Sequence, residues 1–204
     1  MGYHESLTEG RNAVLEAFRS GKTVDRLFVL DGCQDGPVKT ILREAKKQDT
    51  MVQYVKKERL DQLSETKNHQ GVIAYCAACE YAEVSDILEN AKKKGEAPFI
   101  VLLDGIEDPH NLGAIIRTAN QAGAHGVIIP KRRAVGLTAT VARTSAGAVN
   151  YTPVAKVTNL VTVMEDLKKE GMWFVCADMD GEEMYSLNLK GPIGCLLYTS
   201  DAAD

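Results

Sequence analysis

The sequence predicts an α/β protein made of a small N-terminal α/β domain and a larger domain with a parallel sheet. Residues 8–76 alternate between helical and strand patterns, with strands in "RLFVL", "MVQYV" and "GVIAYC". After residue 98 the strands "FIVLL", "GVIIP" and "MWFVCA" are unbroken apolar runs, typical of strands covered by helices on both faces. We expect the helices between them at residues 112–122 and 159–170.

A change in composition marks the boundary between the two domains. Residues 81–97 are charged, carry one short amphipathic helix at 83–93, and are followed by Pro98. We therefore expect a first domain at 1–80, a linker at 81–97 and a second domain from 98 to 194. In the first domain, Thr8 gives half of a capping box for the first helix, and Gly21 ends that helix.

The composition excludes several classes of protein. With 45% hydrophobic residues the chain can bury a core, yet no apolar stretch approaches the roughly 18 residues of a membrane span. The N-terminus has no apolar region typical of export, and five scattered cysteines fit reduced thiols, so we expect a cytoplasmic protein without a membrane partner. A net charge of -4 argues against a generic nucleic-acid coat and leaves room for a local basic site.

The one CxxC motif, "CAAC" at residues 76–79, gives weak support for a metal site. A structural zinc needs about four ligands, and no second CxxC or HxxxH accompanies this one. We expect buried thiols at a strand end and no metal.

The segment "DGIEDPHNLGAIIRTANQAGA", residues 104–124, follows the first apolar strand of the second domain. In open parallel sheets, ligands bind outside the carboxyl ends of the strands, which is where this segment begins. Helical periodicity turns an apolar set toward the sheet: Leu112, Ile115, Ile116, Ala119 and Ala122. It turns a second set away from the sheet: Gly113, Arg117, Asn120 and Gln121.

Two polar residues and a glycine make this helix a candidate site. Asn111 sits where an N-cap belongs, Arg117 projects away from the core, and Gly113 leaves room for a ligand or another backbone. Each has an ordinary explanation when taken alone, since Asn111 can be only a cap and Arg117 only a solvated cation. As an ordered set they are much more specific.

The stretch "DGIEDPHNLGAIIRTANQAGAHGVIIP" resembles the first signature motif of the SpoU (TrmH-like) family, knotted RNA ribose 2'-O-methyltransferases that use S-adenosylmethionine. "ARTSAGAVNYTPVAKVTNL", residues 142–160, resembles the family's next loop and strand. "EGRNAVLEAF" and "NHQGVIAY" resemble the small substrate-binding domain, similar to ribosomal protein L30e, of bacterial 23S rRNA guanosine 2'-O-methyltransferases. The resemblance implies an L30e-like domain followed by an alpha/beta knot (SPOUT-type) domain.

The resemblance also implies roles for particular residues. Asn111 and Arg117 match the reaction centre, where Asn111 would orient Arg117 or the ribose, and Ser145 and Gly147 match a loop near the bound nucleotide. The ribose 2'-OH is a poor nucleophile, and the family's arginine is described as its general base. Because a guanidinium group stays protonated in proteins, binding a phosphate and stabilising the developing alkoxide is the alternative role for this arginine.

Two groups of residues are candidates for RNA contact. "PKRRA", residues 130–134, places Lys131, Arg132 and Arg133 just after a strand, where they could bind phosphates or form a solvated loop. Arg11 and Asn12 match the RNA-facing end of the small domain, although helix-start chemistry explains them nearly as well. The implied partner is RNA, specifically 23S rRNA.

Other functional classes fit the sequence less well. A dinucleotide-dependent oxidoreductase, or a methyltransferase of the common unknotted class, needs a glycine-rich turn after its first strand, and none occurs here. A non-catalytic RNA-binding module is the stronger alternative because of the C-terminus.

The family pattern breaks after Gly194. The family continues with a strand, a "GSEGxG"-like turn and two helices that supply the cofactor pocket, the knot and most of the homodimer interface; this sequence has the strand pattern "IGCLLY" and then "TSDAAD". We therefore expect residues 195–204 to be a tail foreign to the family. On this reading the chain is truncated, its knot is incomplete, its cofactor-binding residues after Gly194 are missing, and it methylates nothing.

Overall fold

The computed structural model describes residues 6–199. The chain divides into two units. Unit 1 contains the residues up to Glu80 together with Gly136–Ala139. Unit 2 contains Tyr81–Val135 and the residues from Thr140 onward.

Unit 1 is a four-stranded sheet with helices on both faces. Its strands are β1 (Ser6–Glu9), β2 (Val24–Leu30), β3 (Met51–Val55) and β4 (Val72–Cys76). Its helices are α1 (Arg11–Arg19), α2 (Gly36–Lys47) and α3 (Lys57–Leu63). The strand order is β1-β4-β2-β3, with β4 antiparallel to β1 and β2, and β2 parallel to β3.

The core of unit 1 has two layers of apolar side chains. On one face, α1 and α2 bury Val14, Phe18 and Ile41 against the sheet. On the other face, Leu60 of α3 packs with Phe28 and Ile73. The helices and strands predicted for residues 8–76 therefore pack into a sheet with an apolar core on each face.

The predicted start of α1 is wrong. Thr8 lies in β1, a short polar strand that the sequence pattern did not reveal, and α1 begins at Arg11 after Gly10, which has a φ of 87°. The helix end agrees better, because Gly21 follows the last turn with a φ of 78°.

Unit 2 is built on a five-stranded parallel sheet. Its strands are β5 (Phe99–Asp104), β6 (Gly126–Pro130), β7 (Val154–Val157), β8 (Trp173–Cys176) and β9 (Ile193–Tyr198). Its helices are α4 (Val84–Lys94), α5 (Pro109–Gln121), α6 (Ala139–Thr144, which belongs to unit 2 from Thr140 onward) and α7 (Leu160–Lys169). The strand order is β7-β6-β5-β9-β8 with every pairing parallel, so the predicted parallel α/β sheet is confirmed.

The segment at residues 81–97 is part of unit 2 and not a free linker. Ile87 of α4 is buried in the core against β5 and β6, and Ala91 of the same helix is also buried. Gly126 permits this packing, because a Cβ there would lie 2.5 Å from Cγ1 of Ile87. The charged residues that suggested a linker form only the exposed face of an amphipathic helix.

The strand pattern "IGCLLY" is also confirmed, and it occupies an inner position in the sheet. β9 lies between β5 and β8, and its first residue, Ile193, pairs with Phe99 of β5 on one side and with Trp173 of β8 on the other. Residues 195–198 of the expected tail are therefore sheet residues, and residues 200–204 lie outside the described part of the chain.

Between residues 6 and 199 no helix is both long and apolar enough to cross a membrane. Over the same range, no three His, Cys, Asp or Glu side chains are grouped as a metal site would need. Cys76 is buried and Cys79 is half-buried, and burial raises the pKa of the Cys79 thiol.

Candidate active site

The loops after three neighbouring strands are hydrogen-bonded to one another at the carboxyl edge of the unit 2 sheet. After β9, the Thr199 hydroxyl donates to the Gly105 carbonyl at 2.7 Å, and the Thr199 amide donates to the Asp104 carbonyl at 3.2 Å. After β6, the Val135 amide donates to the Ile106 carbonyl at 3.0 Å. The segment that connects β5 to α5 is therefore hydrogen-bonded on both sides, by Thr199 after β9 and by Val135 after β6.

The N-cap of α5 is Asp108, so the prediction that Asn111 caps this helix is wrong. The Asp108 carboxylate accepts from the amides of His110 at 3.3 Å and Asn111 at 3.2 Å, and Pro109 fills the first helical position. Asn111 falls in the first turn, where its side chain is exposed. Within the part of the chain that the structure describes, this side chain has no hydrogen-bond partner, so it remains available to a ligand.

The two faces of α5 largely follow the predicted periodicity. Leu112, Ile116 and Ala119 are buried, Ile115 is half-buried, and Ala122 is exposed at the end of the helix. Arg117 and Asn120 are exposed, as predicted. The buried stripe fixes the helix on the sheet and turns Arg117 toward solvent.

Gly113 is buried, contrary to its expected place on the outer face. A Cβ at this position would lie 1.9 Å from Oγ1 of Thr144, 2.8 Å from its Cβ and 3.0 Å from the backbone nitrogen of Ser145. The room left by the missing side chain is thus filled by another segment of backbone. Gly113 brings the first turns of α5 into direct contact with the loop that starts at Ser145.

Ser145 and Gly147 form the turn after α6. The Ser145 side chain is fully buried, and its hydroxyl donates to the Ala142 carbonyl at 2.9 Å. Gly147 has a φ of 85°, a conformation that glycine adopts without strain. Ser145 therefore holds the turn from inside, while Gly147 lets the backbone reverse beside α5.

The basic residues after β6 lie at the same edge of the sheet. Nη2 of Arg133 is 3.9 Å from Oδ1 of Asp104, a loose ion pair in which the Arg133 side chain is 74% exposed. Arg132 is exposed and Lys131 is half-buried. Arg117 makes no hydrogen bond or ion pair with any residue in the range 6–199. The edge therefore offers exposed cations from the segment after β6, and Arg117 on the outer face of α5 has no carboxylate partner within residues 6–199.

Arg11 and Asn12 belong to unit 1 and are described with it alone. Nη2 of Arg11 is 2.6 Å from Oδ2 of Asp35, and its Nε donates to the Gln70 carbonyl at 3.0 Å. Arg11 thus ties the start of α1 to the segments before α2 and β4. Asn12 is exposed beside it.

Several residues of the candidate site were missed in the sequence. The Thr144 hydroxyl lies 2.9 Å from the Thr140 carbonyl and 3.3 Å from that of Pro109. No sequence pattern indicated Thr144, because the residue against which it packs, Gly113, comes 31 positions earlier. Asp108 could have been found, since Asp followed by Pro is a common start of a helix. The hydroxyl of Thr152, which donates to Oδ1 of Asn120 at 3.0 Å, again depends on a contact between distant segments.

A cavity of about 800 Å³ lies beside β8 and β9, within the size range of small-molecule sites. Apolar side chains including Val175, Leu187 and Cys195 line it. Burial raises the pKa of the Cys195 thiol, so this group stays neutral. Asp178 also lines the cavity, and a 2.7 Å hydrogen bond from the Tyr198 hydroxyl lowers the pKa of its carboxyl, which keeps a negative charge there.

Two family models match this chain. The model described as "RNA 2'-O ribose methyltransferase substrate binding" covers residues 7–82, and that of the "SpoU rRNA Methylase family" covers residues 98–197. A putative TrmH family tRNA/rRNA methyltransferase of Bacillus subtilis, YacO, is 48% identical over 182 residues, which are 89% of this chain and 72% of that protein. The chain belongs to the SpoU family of RNA methyltransferases.

Further SpoU relatives agree with this assignment. A putative TrmH family tRNA/rRNA methyltransferase of Staphylococcus haemolyticus is 45% identical over 176 residues, 86% of this chain and 70% of that protein. The crystal structure of the SpoU methyltransferase AviRb from Streptomyces viridochromogenes, in complex with AdoMet, superimposes with a TM-score of 0.53 at 22% identity. It covers 97% of this chain and 74% of that one. The crystal structure of an rRNA methyltransferase from Sinorhizobium meliloti superimposes with a TM-score of 0.52 at 24% identity, over 97% of this chain and 72% of that one. These two structures share the fold of this SpoU chain.

The SpoU match corrects the boundary of the expected tail. It continues to residue 197, so residues 195–197 follow the family pattern, which agrees with their place in β9. The prediction of a foreign tail from residue 195 is wrong for these residues.

Proposed function

We propose that this chain supplies the reaction centre for methylation of the 2'-hydroxyl of a ribose in RNA, a guanosine of bacterial 23S rRNA, with S-adenosylmethionine as the methyl donor. The observation that carries the proposal is the outer face of α5. There Asn111 stands exposed in the first turn after the carboxyl edge of a parallel sheet, and Arg117 stands exposed further along the helix without an ion-pair partner among residues 6–199, in a chain of the SpoU family.

The environment of Arg117 supports an electrostatic role. Because no carboxylate in the described range 6–199 pairs with it, the guanidinium has its donors available for an RNA phosphate and for the alkoxide that develops as the 2'-oxygen attacks. A guanidinium group stays protonated in proteins, so it is a poor candidate for a general base. We therefore assign Arg117 to charge stabilisation, and the proton of the 2'-hydroxyl passes to water or to an RNA phosphate oxygen.

Asn111 is better placed to orient the nucleotide than to orient Arg117. The two lie six positions apart on α5, which is a rise of about 9 Å along the helix axis and leaves their side chains about a third of a turn apart around it. A short amide side chain does not span that distance. We assign Asn111 to a hydrogen bond with the ribose, with Ser145 and Gly147 shaping the adjoining loop.

The cavity beside β8 and β9 fits the methyl donor in size and in character. Its apolar lining suits an adenine ring, and the ionised Asp178 suits the cationic sulfonium and amino groups of the donor. AviRb, which shares the fold, was solved with AdoMet. The donor supplies an electrophilic methyl group when bound, and we propose that Val175, Leu187 and Cys195 hold its adenine side.

Unit 1 supports an RNA substrate because its sequence matches a substrate-binding model of RNA 2'-O ribose methyltransferases. We propose that Arg11 and Asn12 contact RNA from unit 1 and that Lys131, Arg132 and Arg133 contact phosphates from unit 2. As the RNA in question belongs to the ribosome, we place the reaction in the bacterial cytoplasm.

The test is transfer of a labelled methyl group from S-adenosylmethionine to a transcript of bacterial 23S rRNA. The assay uses the 204-residue chain and the same chain extended with the C-terminal residues of the Bacillus subtilis relative. Resistance of the labelled linkage to alkaline hydrolysis identifies a 2'-O-methyl group, because an unmodified 2'-OH is needed for cleavage.

Arg117→Ala should lower the rate by roughly 100- to 1,000-fold, as expected when one stabiliser of a developing oxyanion is removed. Arg117→Lys should retain a measurable part of the rate, because it keeps the charge without the planar donor pair. The control is Arg43→Ala, which removes an exposed arginine from α2 of unit 1. Unchanged transfer by Arg117→Ala would refute its role, and RNA binding without transfer by either chain would favour the binding-module alternative.

A further inference from the structure

Tyr151 is a large aromatic side chain held exposed on a rigid turn. It is 79% exposed, although Ala148 and Val149 just before it are buried. Its amide donates to the Ala148 carbonyl at 2.9 Å, and the amide of Thr152 donates to the same carbonyl at 2.9 Å. The backbone of the turn thus holds Tyr151 at a position where its ring is exposed to solvent. A ring in this position adds no burial free energy to the stability of the fold.

The turn that carries Tyr151 is tied to the outer face of α5. Thr152 is buried, and its hydroxyl donates to Oδ1 of Asn120 at 3.0 Å. Asn120 follows Arg117 by three residues, so the two side chains are neighbours on the same helix face, with about 5–6 Å between Cβ atoms. Tyr151 therefore stands beside the surface on which Arg117 lies.

The charge of this surface selects the kind of partner. Helix α5, "PHNLGAIIRTANQ", contains no acidic residue, and neither does the segment "ARTSAGAVNYTP" at residues 142–153. The exposed charges are the guanidinium groups of Arg117 and Arg143. A flat aromatic ring next to cations and amide donors, without carboxylates, matches the combination that binds single-stranded nucleic acid: stacking on a base and ion pairing with phosphates.

We propose that Tyr151 is a stacking platform for an unpaired nucleobase of the RNA substrate, next to the nucleotide whose phosphate Arg117 binds. The inference rests on the proposed function and deepens it, because it requires the substrate to present a base outside a helical stem. Stacking uses the face that every base shares, so Tyr151 contributes affinity without selecting the base.

The test compares dissociation constants for a bacterial 23S rRNA transcript, measured by filter binding without methyl donor. Tyr151→Ala should weaken binding by roughly 5- to 150-fold, the range that loss of one base–aromatic stack produces. Tyr151→Phe and Tyr151→Trp should bind like the wild type, while Tyr151→Leu should bind like Tyr151→Ala. The matched control is Tyr185→Ala, which removes another exposed tyrosine of unit 2, 93% exposed, and should leave binding unchanged.

The aromatic series separates stacking from a structural role, because Leu would preserve apolar contact without a ring face. Equal binding by Tyr151→Ala and wild type would overturn the inference and leave the proposed function standing. Absence of RNA binding by the unchanged chain would overturn both. Sedimentation of the same variants gives the remaining outcome: if Tyr151→Ala loses self-association in step with affinity, the ring contacts a second copy of the chain and the inference is wrong.

Discussion

Replacement of Gly113 by alanine tests the contact that joins α5 to the Ser145 turn. The added Cβ would meet Thr144 Oγ1 at 1.9 Å, Thr144 Cβ at 2.8 Å and the Ser145 nitrogen at 3.0 Å. Only the hydroxyl can move cheaply, so the helix or the turn has to shift. Overpacking of this kind costs about 1–3 kcal/mol, and the backbone contact places it near the upper end. Alanine also favours the helix by about 1 kcal/mol, which leaves a net loss of about 2 kcal/mol.

Urea unfolding followed by the fluorescence of Trp173 measures this loss. Trp173 is the single tryptophan of the chain and lies in β8, so its signal reports on unit 2. The control is Gly36→Ala, followed by circular dichroism, because Gly36 begins α2 with nothing within 4 Å of its virtual Cβ; that variant should be as stable as the wild type or slightly more so. Adding Thr144→Ala to Gly113→Ala should recover part of the loss. The packing argument fails if Gly113→Ala unfolds at the wild-type urea concentration or above it.

Three further substitutions test single interactions. Burial opposes ionisation of Glu9, but hydrogen bonds from Ser64, Glu65 and Thr66 outweigh it and lower its pKa below the ordinary 4.5. Because the pKa of Glu9 is lower in the folded state than in the unfolded state, the ionised side chain stabilises unit 1 above about pH 4.5. This stabilisation is lost as the pH falls through the folded-state pKa. Glu9→Gln should therefore lower the melting temperature at pH 7 and flatten its fall in acid, as calorimetry at several pH values would show. Asp35→Ala removes both the N-cap of α2 and the partner of Arg11, and should cost about 1–2 kcal/mol in urea unfolding; Asp35→Ser keeps the cap and should recover about 1 kcal/mol. An equal loss in both would show that the ion pair dominates. Tyr198→Phe should raise the pKa of Asp178 toward its usual value, measured by carboxyl carbon chemical shifts, and an unchanged titration would show that the hydrogen bond does not form in solution.

Local patterns in the sequence predicted the helices and strands of unit 2 well because burial there repeats with a regular period. The stripe Leu112, Ile116 and Ala119 needed only the spacing of apolar residues on α5. Gly113 could not be placed in the same way. Its position depends on Thr144 and Ser145, which arrive from another segment, and no local pattern encodes that meeting.

The N-cap of α5 was predicted wrongly because two residues close together in the sequence both suit that position. Asp108 and Asn111 are both good N-cap residues, and the Pro at position 109 favours the earlier one because its ring suits the first helical position and it has no amide to satisfy. β1 was missed because "SLTE" is short and half polar, and it forms a strand only through pairing with β4. The sequence was enough to single out Arg117, but only the fold shows that no carboxylate between residues 6 and 199 pairs with it.

The inner position of β9 has a consequence for synthesis of the chain on the ribosome. β5 and β8 are joined only through β9, and Ile193 pairs with Phe99 across 94 positions, the difference between 193 and 99. At roughly 5–20 residues per second, one edge of β5 stays unpaired for ~5–20 s while the intervening residues are made. Among β5 to β9, the strand that comes last in the sequence is thus the one that joins β5 to β8. We expect β5, β6 and β7 to assemble first and to expose the apolar edge of β5 to chaperones until β9 emerges.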